Sequence, residues 1–273
     1  MSQQRPPSGH DPLEGRDAAG MITTGAHRRN VPAAFEPVLE AAMQRLAQAP
    51  GTPSLYVYGS VATGMAKVGR SDVDLMTIGV DADLARAWGR ELSTTFAALC
   101  RSVEIGAAEA RHYEGPGDEA HGNRVFLRHY GVHLAGSDPR AALSDQPADR
   151  AAARGFNGDI GQRADQWRRQ MTGADPAALA RRLARKTLFA VAGLVSVHDT
   201  VWTTDRVAAA HRWGQLRPDL AIALDTLVAW GDGPAAVPSR REIETALAGV
   251  VAAVVADFQS LIGLWPPAAP DER

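Results

Sequence analysis

Two aspartates stand one residue apart in an apolar run, Asp72 and Asp74 within "SDVDLMTIGV" (71–80). Alternate residues of a strand project to the same face, so the two carboxylates emerge side by side. Such a pair repels itself, and its desolvation is costly unless a cation compensates. Hard divalent ions do so; Mg²⁺ typically takes one or two carboxylates together with phosphate oxygens. Val73 and Leu75, on the opposite face, would anchor the strand in a core. Upstream, the apolar run "SLYVY" stops at Gly59-Ser60. A strand ending in Gly-Ser that turns into a short helix offers backbone N–H groups and a hydroxyl to phosphate oxygens. Gly59 permits close backbone approach, and Gly64 relaxes the next turn. The combination points to a cation and a phosphate ester. A Walker A loop is excluded because Met65 and Ala66 replace the required Lys and Ser/Thr. An EF-hand loop is excluded because the third ligand and the following Gly are missing.

The surrounding elements must hold these groups in place. "AAFEPVLEAAMQRLAQ" has helical spacing and stops at "APGTP". "SLYVYG" and "VDLMTIGV" read as strands, and "SVEIGAA" as a third. Between the last two, Leu84, Trp88, Leu92 and Phe96 predict one helical stripe. These elements predict a small α/β domain over residues 31–140. The turn-rich segment "AGSDPRAALSDQPADR" marks the boundary. Beyond it strand signals vanish, and residues 148–265 read as an all-helical domain, making the chain α+β. Asp175 caps one long helix with Pro176 at its first position. A Thr cap opens the helix at "TTDRVAAAHRW". Ile243, Leu247, Val250, Val251, Val254, Phe258 and Leu261 form the buried face of the last. Residues 1–30 are Pro, Gly, Gln and Arg rich and read as a disordered leader; the tail "PPAAPDER" reads as loose.

Gly59-Ser60, Gly64 and Ser71-Asp72-Val73-Asp74-Leu75 together resemble the signature of the DNA polymerase β-like nucleotidyltransferase superfamily, most closely the aminoglycoside adenylyltransferases of the streptomycin/spectinomycin type. The signature covers about twenty residues, and the domain order extends the resemblance over residues 31–265. The resemblance implies a nucleotidyltransferase domain with a mixed sheet, followed by a helical domain that binds nucleotide and substrate. It implies Mg²⁺ held by Asp72 and Asp74 against the triphosphate of ATP, with Gly59 and Ser60 on the phosphates. An acceptor hydroxyl would attack the α-phosphorus, and pyrophosphate would leave. A third carboxylate on a neighbouring strand is expected as metal ligand or general base. Glu104 in "SVEIG" is the candidate, and Glu109 is the fallback. Related enzymes also place basic residues of the helical domain on the triphosphate, for which Lys186 and then Arg182 are the candidates. The acceptor implied is a small molecule, most concretely an aminoglycoside, in a cleft between the domains.

Each residue also has a plainer reading. Asp72 and Asp74 could cap a turn before a strand. Arg70 could steer phosphate or sit exposed in a turn. Arg182 and Lys186, four apart in the run Arg181, Arg182, Arg185, Lys186, could form a solvated helix face. Asp205 could contact a cationic acceptor but suits a helix cap, and Trp202 suits a core. His112, His129, His133 and His198 lack metal-ligand spacing.

The whole composition narrows the field. Among 273 residues the formal charge is −2, whereas a general nucleic-acid binder is strongly basic. Nucleotidyl transfer to tRNA is thereby disfavoured, though transfer to protein or RNA stays the alternative activity. An inactive nucleotide-sensing module is the non-enzymatic alternative. Cys100, the only cysteine, excludes an intramolecular disulfide and a cysteine zinc site. No secretory pattern opens the chain, and Leu247–Phe258 is too short to span a bilayer. A cytoplasmic protein without a membrane partner is expected; the oligomeric state is not readable.

Overall fold

In a computed structural model, described for residues 10–232 and 237–266, the chain divides into two units, 1–147 and 148–273. The first contains a four-stranded mixed sheet and the second is built of helices, an α+β protein. Among the described residues of the second unit there is no strand.

The order of the first unit begins with a short antiparallel hairpin, β1 (Gly15–Arg16) and β2 (Ile22–Thr23). Helix α1 (Glu36–Leu46) follows, then β3 (Ser54–Tyr58), the one-turn helix α2 (Gly59–Ala62) and β4 (Val73–Ile78). Next come α3 (Ala82–Thr95), β5 (Val103–Ala108), α4 (Asp118–His129) and β6 (Val132–Gly136). The sheet order is β5-β4-β3-β6. Strand β3 runs antiparallel to both β4 and β6, while β4 and β5 are parallel. A parallel pair needs a crossover, and α3 supplies it.

Val57, Val73, Leu75 and Val103 are fully or almost fully buried on one face of this sheet, against Val38, Leu39 and Leu92 from α1 and α3. Burying each such side chain contributes about 1.5–3 kcal/mol. That core is what fixes β4, and with it the other face of β4, which carries Asp74. Along α3 the buried residues are Ala85, Trp88, Gly89 and Leu92. The four-residue stripe read from sequence holds in its middle but not at its ends: Leu84 is 38% exposed and Phe96 only partly buried. Steps of four advance a helix by 400°, so the stripe drifts about 40° per step and its ends leave the buried face. Gly89 sits so near β5 that a Cβ would lie 2.9 Å from the Val103 carbonyl oxygen.

Residues 10–30, expected to be disordered, are structured in this unit, which corrects the sequence reading; residues 1–9 lie outside the described residues. Hydrogen bonds rather than apolar periodicity hold the segment. Asp11 accepts from the Leu13 and Gly25 amides, and Tyr130 donates to Glu14 at 2.6 Å. The Ile22 amide donates to Gln146 O, and Thr24 Oγ1 donates to His129 O. Helix α4 and strand β6 were also not anticipated.

His129 is the buried end of this network. Its Nε2 accepts from the Gln146 amide at 2.9 Å, and burial pushes its pKa down to about 4. The folded chain therefore holds a neutral imidazole, whereas the unfolded chain protonates it below about pH 6.5. The stabilisation is fully present above pH 6.5 and is lost as pH falls towards 4. At pH 5 the loss is on the order of 2 kcal/mol. Urea midpoints at pH 7 and pH 5 should diverge more in the natural chain than in His129→Gln, which removes the titration and keeps an acceptor.

The second unit comprises α5 (Arg150–Asn157), α6 (Ile160–Gln170), α7 (Pro176–His198), α8 (Arg206–Leu216) and α9 (Ala221–Asp232). A last helix, α10, covers 240–261 and carries a π-helical segment at Leu247–Val251. The central α7 is capped as expected, Asp175 accepting from the Ala178 amide at 2.8 Å. At α8 the cap is Asp205, which accepts from the Val207 and Ala208 amides, rather than a threonine. Trp202 is buried, as its plainer reading held. The helix 240–261 has the length and composition of a membrane span. Ile243, Leu247, Val250, Val251, Val254 and Phe258 are nonetheless buried within the protein, and Ile262 joins them while Leu261 is half-buried.

Candidate functional site

The β3–β4 register pairs Tyr58 with Asp74, and the β4–β5 register pairs Asp74 with Glu104. One row across three strands thus reads Tyr58, Asp74, Glu104. The alternation of β4 buries Val73 and Leu75 and leaves Asp74 half-exposed on the other face. Asp72, two residues earlier, stands just ahead of the first residue of β4.

Gly59 follows β3 immediately and adopts φ +67°, a left-handed conformation open to glycine. A Cβ at this position would stand 2.6 Å from Asp74 Oδ2. The absence of a side chain at 59 is what lets the strand turn beside the carboxylate. From there α2 makes a single turn, with Ser60 half-buried and its carbonyl accepting from the Met65 and Ala66 amides. Gly59 and Asp74 are therefore close to each other across the strand end, and the Gly59–Ser60 turn lies beside one of the two carboxylates.

Asp72 is held differently. It accepts from Ser102 Oγ at 2.6 Å and from Arg101 Nε at 2.9 Å, and Arg101 Nη2 closes the second side of the fork. Its side chain is only 17% exposed. Glu104 is exposed on β5, so its carboxylate faces solvent next to Asp74 by register. Glu109 lies one residue beyond β5 and pairs with Arg111, away from the strand row. Arg70 is exposed in the turn before β4.

The electrostatics reflect this clustering of acids. Burial raises the Tyr58 phenol, and the negative charges of Asp74 and Glu104 raise it further, so Tyr58 stays protonated. Arg101 is held more firmly protonated, first by its hydrogen bond to Asp72 and in part by the fields of Glu104 and Asp74. Among the described residues, no group of three or more His, Cys, Asp or Glu side chains converges tightly enough to form a ready metal cage. The donor set fits a Mg²⁺ mode with two carboxylates completed by phosphate oxygens rather than a closed all-protein site. The Gly59 turn stands close against Asp74, and Arg101 is the counter-cation already on Asp72.

No protein-family model and no curated protein matches this chain.

The basic candidates of the second unit both lie on α7. Arg182 is exposed. Lys186 is engaged within the unit: its Nζ stands 2.6 Å from Asp159 Oδ1, donates to the Phe156 carbonyl at 2.9 Å and reaches Asn157 Oδ1 at 3.2 Å. Burial lowers the Lys186 pKa, against which Asp159 acts. Asp205 spends its carboxylate on the cap of α8.

Three residues of the site escaped the sequence reading: Tyr58, Arg101 and Ser102. Their signal lay in the register. Once β4 and β5 are taken as parallel with Val73 opposite Val103, Asp72 must lie beside Ser102 and Arg101.

Proposed function

We propose that this chain is a Mg²⁺-dependent nucleotidyltransferase of the DNA polymerase β-like type that moves AMP from ATP to an acceptor hydroxyl and releases pyrophosphate. The observation that carries the reading is the approach of Asp74 to the Gly59 turn, with Asp72 immediately ahead of the strand that bears Asp74. A bound Mg²⁺ would supply neutralisation of the charge on the reacting phosphates. Asp72 and Asp74 would hold the cation. The Gly59–Ser60 turn would receive phosphate oxygens through its amides and the Ser60 hydroxyl. Glu104, exposed beside Asp74, would accept the proton of the acceptor hydroxyl. Arg70, exposed ahead of β4, would contribute positive charge to the incoming triphosphate, and Arg182, exposed on α7, is the more available of the two basic candidates of the helical unit. Lys186, already saturated by Asp159 and two further acceptors, is the weaker of the two α7 candidates. The acceptor is a small molecule, of which an aminoglycoside is the most concrete, and the protein works in the cytoplasm.

The acceptor is read by incubating the protein with α-labelled ATP, Mg²⁺ and separate pools of aminoglycosides, tRNA and cell lysate. Label on a drug supports the reading, label on tRNA or protein selects macromolecular transfer, and an absence of both transfer and pyrophosphate leaves a binding module. With an acceptor in hand, Glu104→Gln should lower transfer about 10²–10⁴-fold while ATP affinity changes little. Full activity in that variant removes Glu104 from the chemistry.

A further inference from the structure

We propose that Arg101 is a displaceable counter-cation, which holds Asp72 in the place of a divalent ion and must leave when the ion binds. The inference rests on the reading of Asp72 and Asp74 as cation ligands.

The parallel register delivers Arg101 to its post. Val73 N donates to Ser102 O and Arg101 N donates to Ser71 O, so the backbone is fixed on both sides of Asp72. The guanidinium then grips both carboxylate oxygens, while Ser102 Oγ takes one of them as well. With Oδ1 and Oδ2 so engaged, a divalent ion and Arg101 compete for the same lone pairs. Their like charges also repel at contact distance.

The two partners differ in how firmly they are held. The Asp72 side chain is 17% exposed and fixed by Ser102, whereas the Arg101 side chain is 64% exposed. Arg101 also lies in the field of Glu104 and Asp74, so a guanidinium partly neutralises the acids that a cation would otherwise neutralise. A pair whose guanidinium is this exposed is worth at most about a fivefold factor in an equilibrium, small against a dication held by two carboxylates. The arginine thus lets the strand fold without a metal and yields its place to one.

The test is Mn²⁺ binding without nucleotide, followed by the loss of the free-ion electron paramagnetic resonance signal, in the natural chain, Arg101→Ala, Arg101→Gln and Asp74→Asn. Arg101→Gln keeps reach and polarity without charge and serves should the alanine variant fold poorly. Removal of the guanidinium should tighten Mn²⁺ binding by up to about fivefold, and Asp74→Asn should weaken it. Equal or weaker binding in both Arg101 variants, with Asp74→Asn still weakened, overturns the role of Arg101 and leaves the cation site standing. Mn²⁺ binding that is absent throughout, or indifferent to Asp74→Asn, overturns both.

Discussion

Asp74→Asn is expected to reduce ATP-dependent transfer at least about a thousandfold while the protein stays folded. A bound metal contributes several kcal/mol of transition-state stabilisation, and each 1.36 kcal/mol is a factor of ten in rate. Asp74 is the hinge of the arrangement because it touches the Gly59 turn and pairs in register with both Tyr58 and Glu104. The isosteric amide keeps the shape beside Gly59 and removes only the charge. The site is half-exposed, and losing one negative charge both relieves repulsion with Glu104 and weakens attraction to Arg101, so stability should change little. Steady-state rates with pyrophosphate detection, paired with urea unfolding, separate the two quantities. A variant that retains a tenth of the natural rate would remove Asp74 from cation binding.

Lys186→Met is expected to destabilise the helical unit by about 2–4 kcal/mol, as does removal of one partner from a buried ion pair. The reason lies in what it leaves behind. Asp159 is buried, and Lys186 is its nearest cation at 2.6 Å. Arg163, at 2.9 Å, retains part of the compensation and sets the lower end of the range. The carbonyl of Phe156 loses its ammonium donor too. Replacing both partners, Lys186→Met with Asp159→Asn, should recover part of the loss, since no unpaired charge remains. Urea midpoints of the two single variants and the double variant complete that cycle. A Lys186→Met protein as stable as the natural chain, but with weakened ATP binding, would instead restore Lys186 to the triphosphate.

What the sequence made legible follows the strength of its periodic signals. Strands β3, β4 and β5 were readable because Val57, Val73, Leu75, Val103 and Ile105 are apolar at buried positions and the turns between them carry Gly, Ser and Asp. The same alternation separated Asp74 from the buried Val73 and Leu75. Strand β6 was not readable because His133 interrupts a run of only five residues, nor was α4, whose twelve residues include two histidines, a glycine and an asparagine. The order of residues 10–30 rests on contacts to His129, Tyr130 and Gln146, more than a hundred residues away in sequence, which no local pattern announces. Asp205 rather than a threonine is the cap because it stands immediately ahead of α8, where its Oδ1 accepts from the Val207 and Ala208 amides. Arg101 and Ser102 could not be assigned without the strand register, and Lys186 could not be separated from a solvated basic face until Asp159 was known to face it.

The most direct measurement of the central claim is a crystal structure with Mg²⁺ and an ATP analogue whose α,β-bridging oxygen is replaced by methylene. The account predicts a cation about 2.0–2.1 Å from oxygens of both Asp72 and Asp74, with the phosphates on the Gly59–Ser60 turn and Arg101 turned away from Asp72. A nucleotide seated elsewhere, with Arg101 still closed on Asp72 and no cation between the two aspartates, would contradict it.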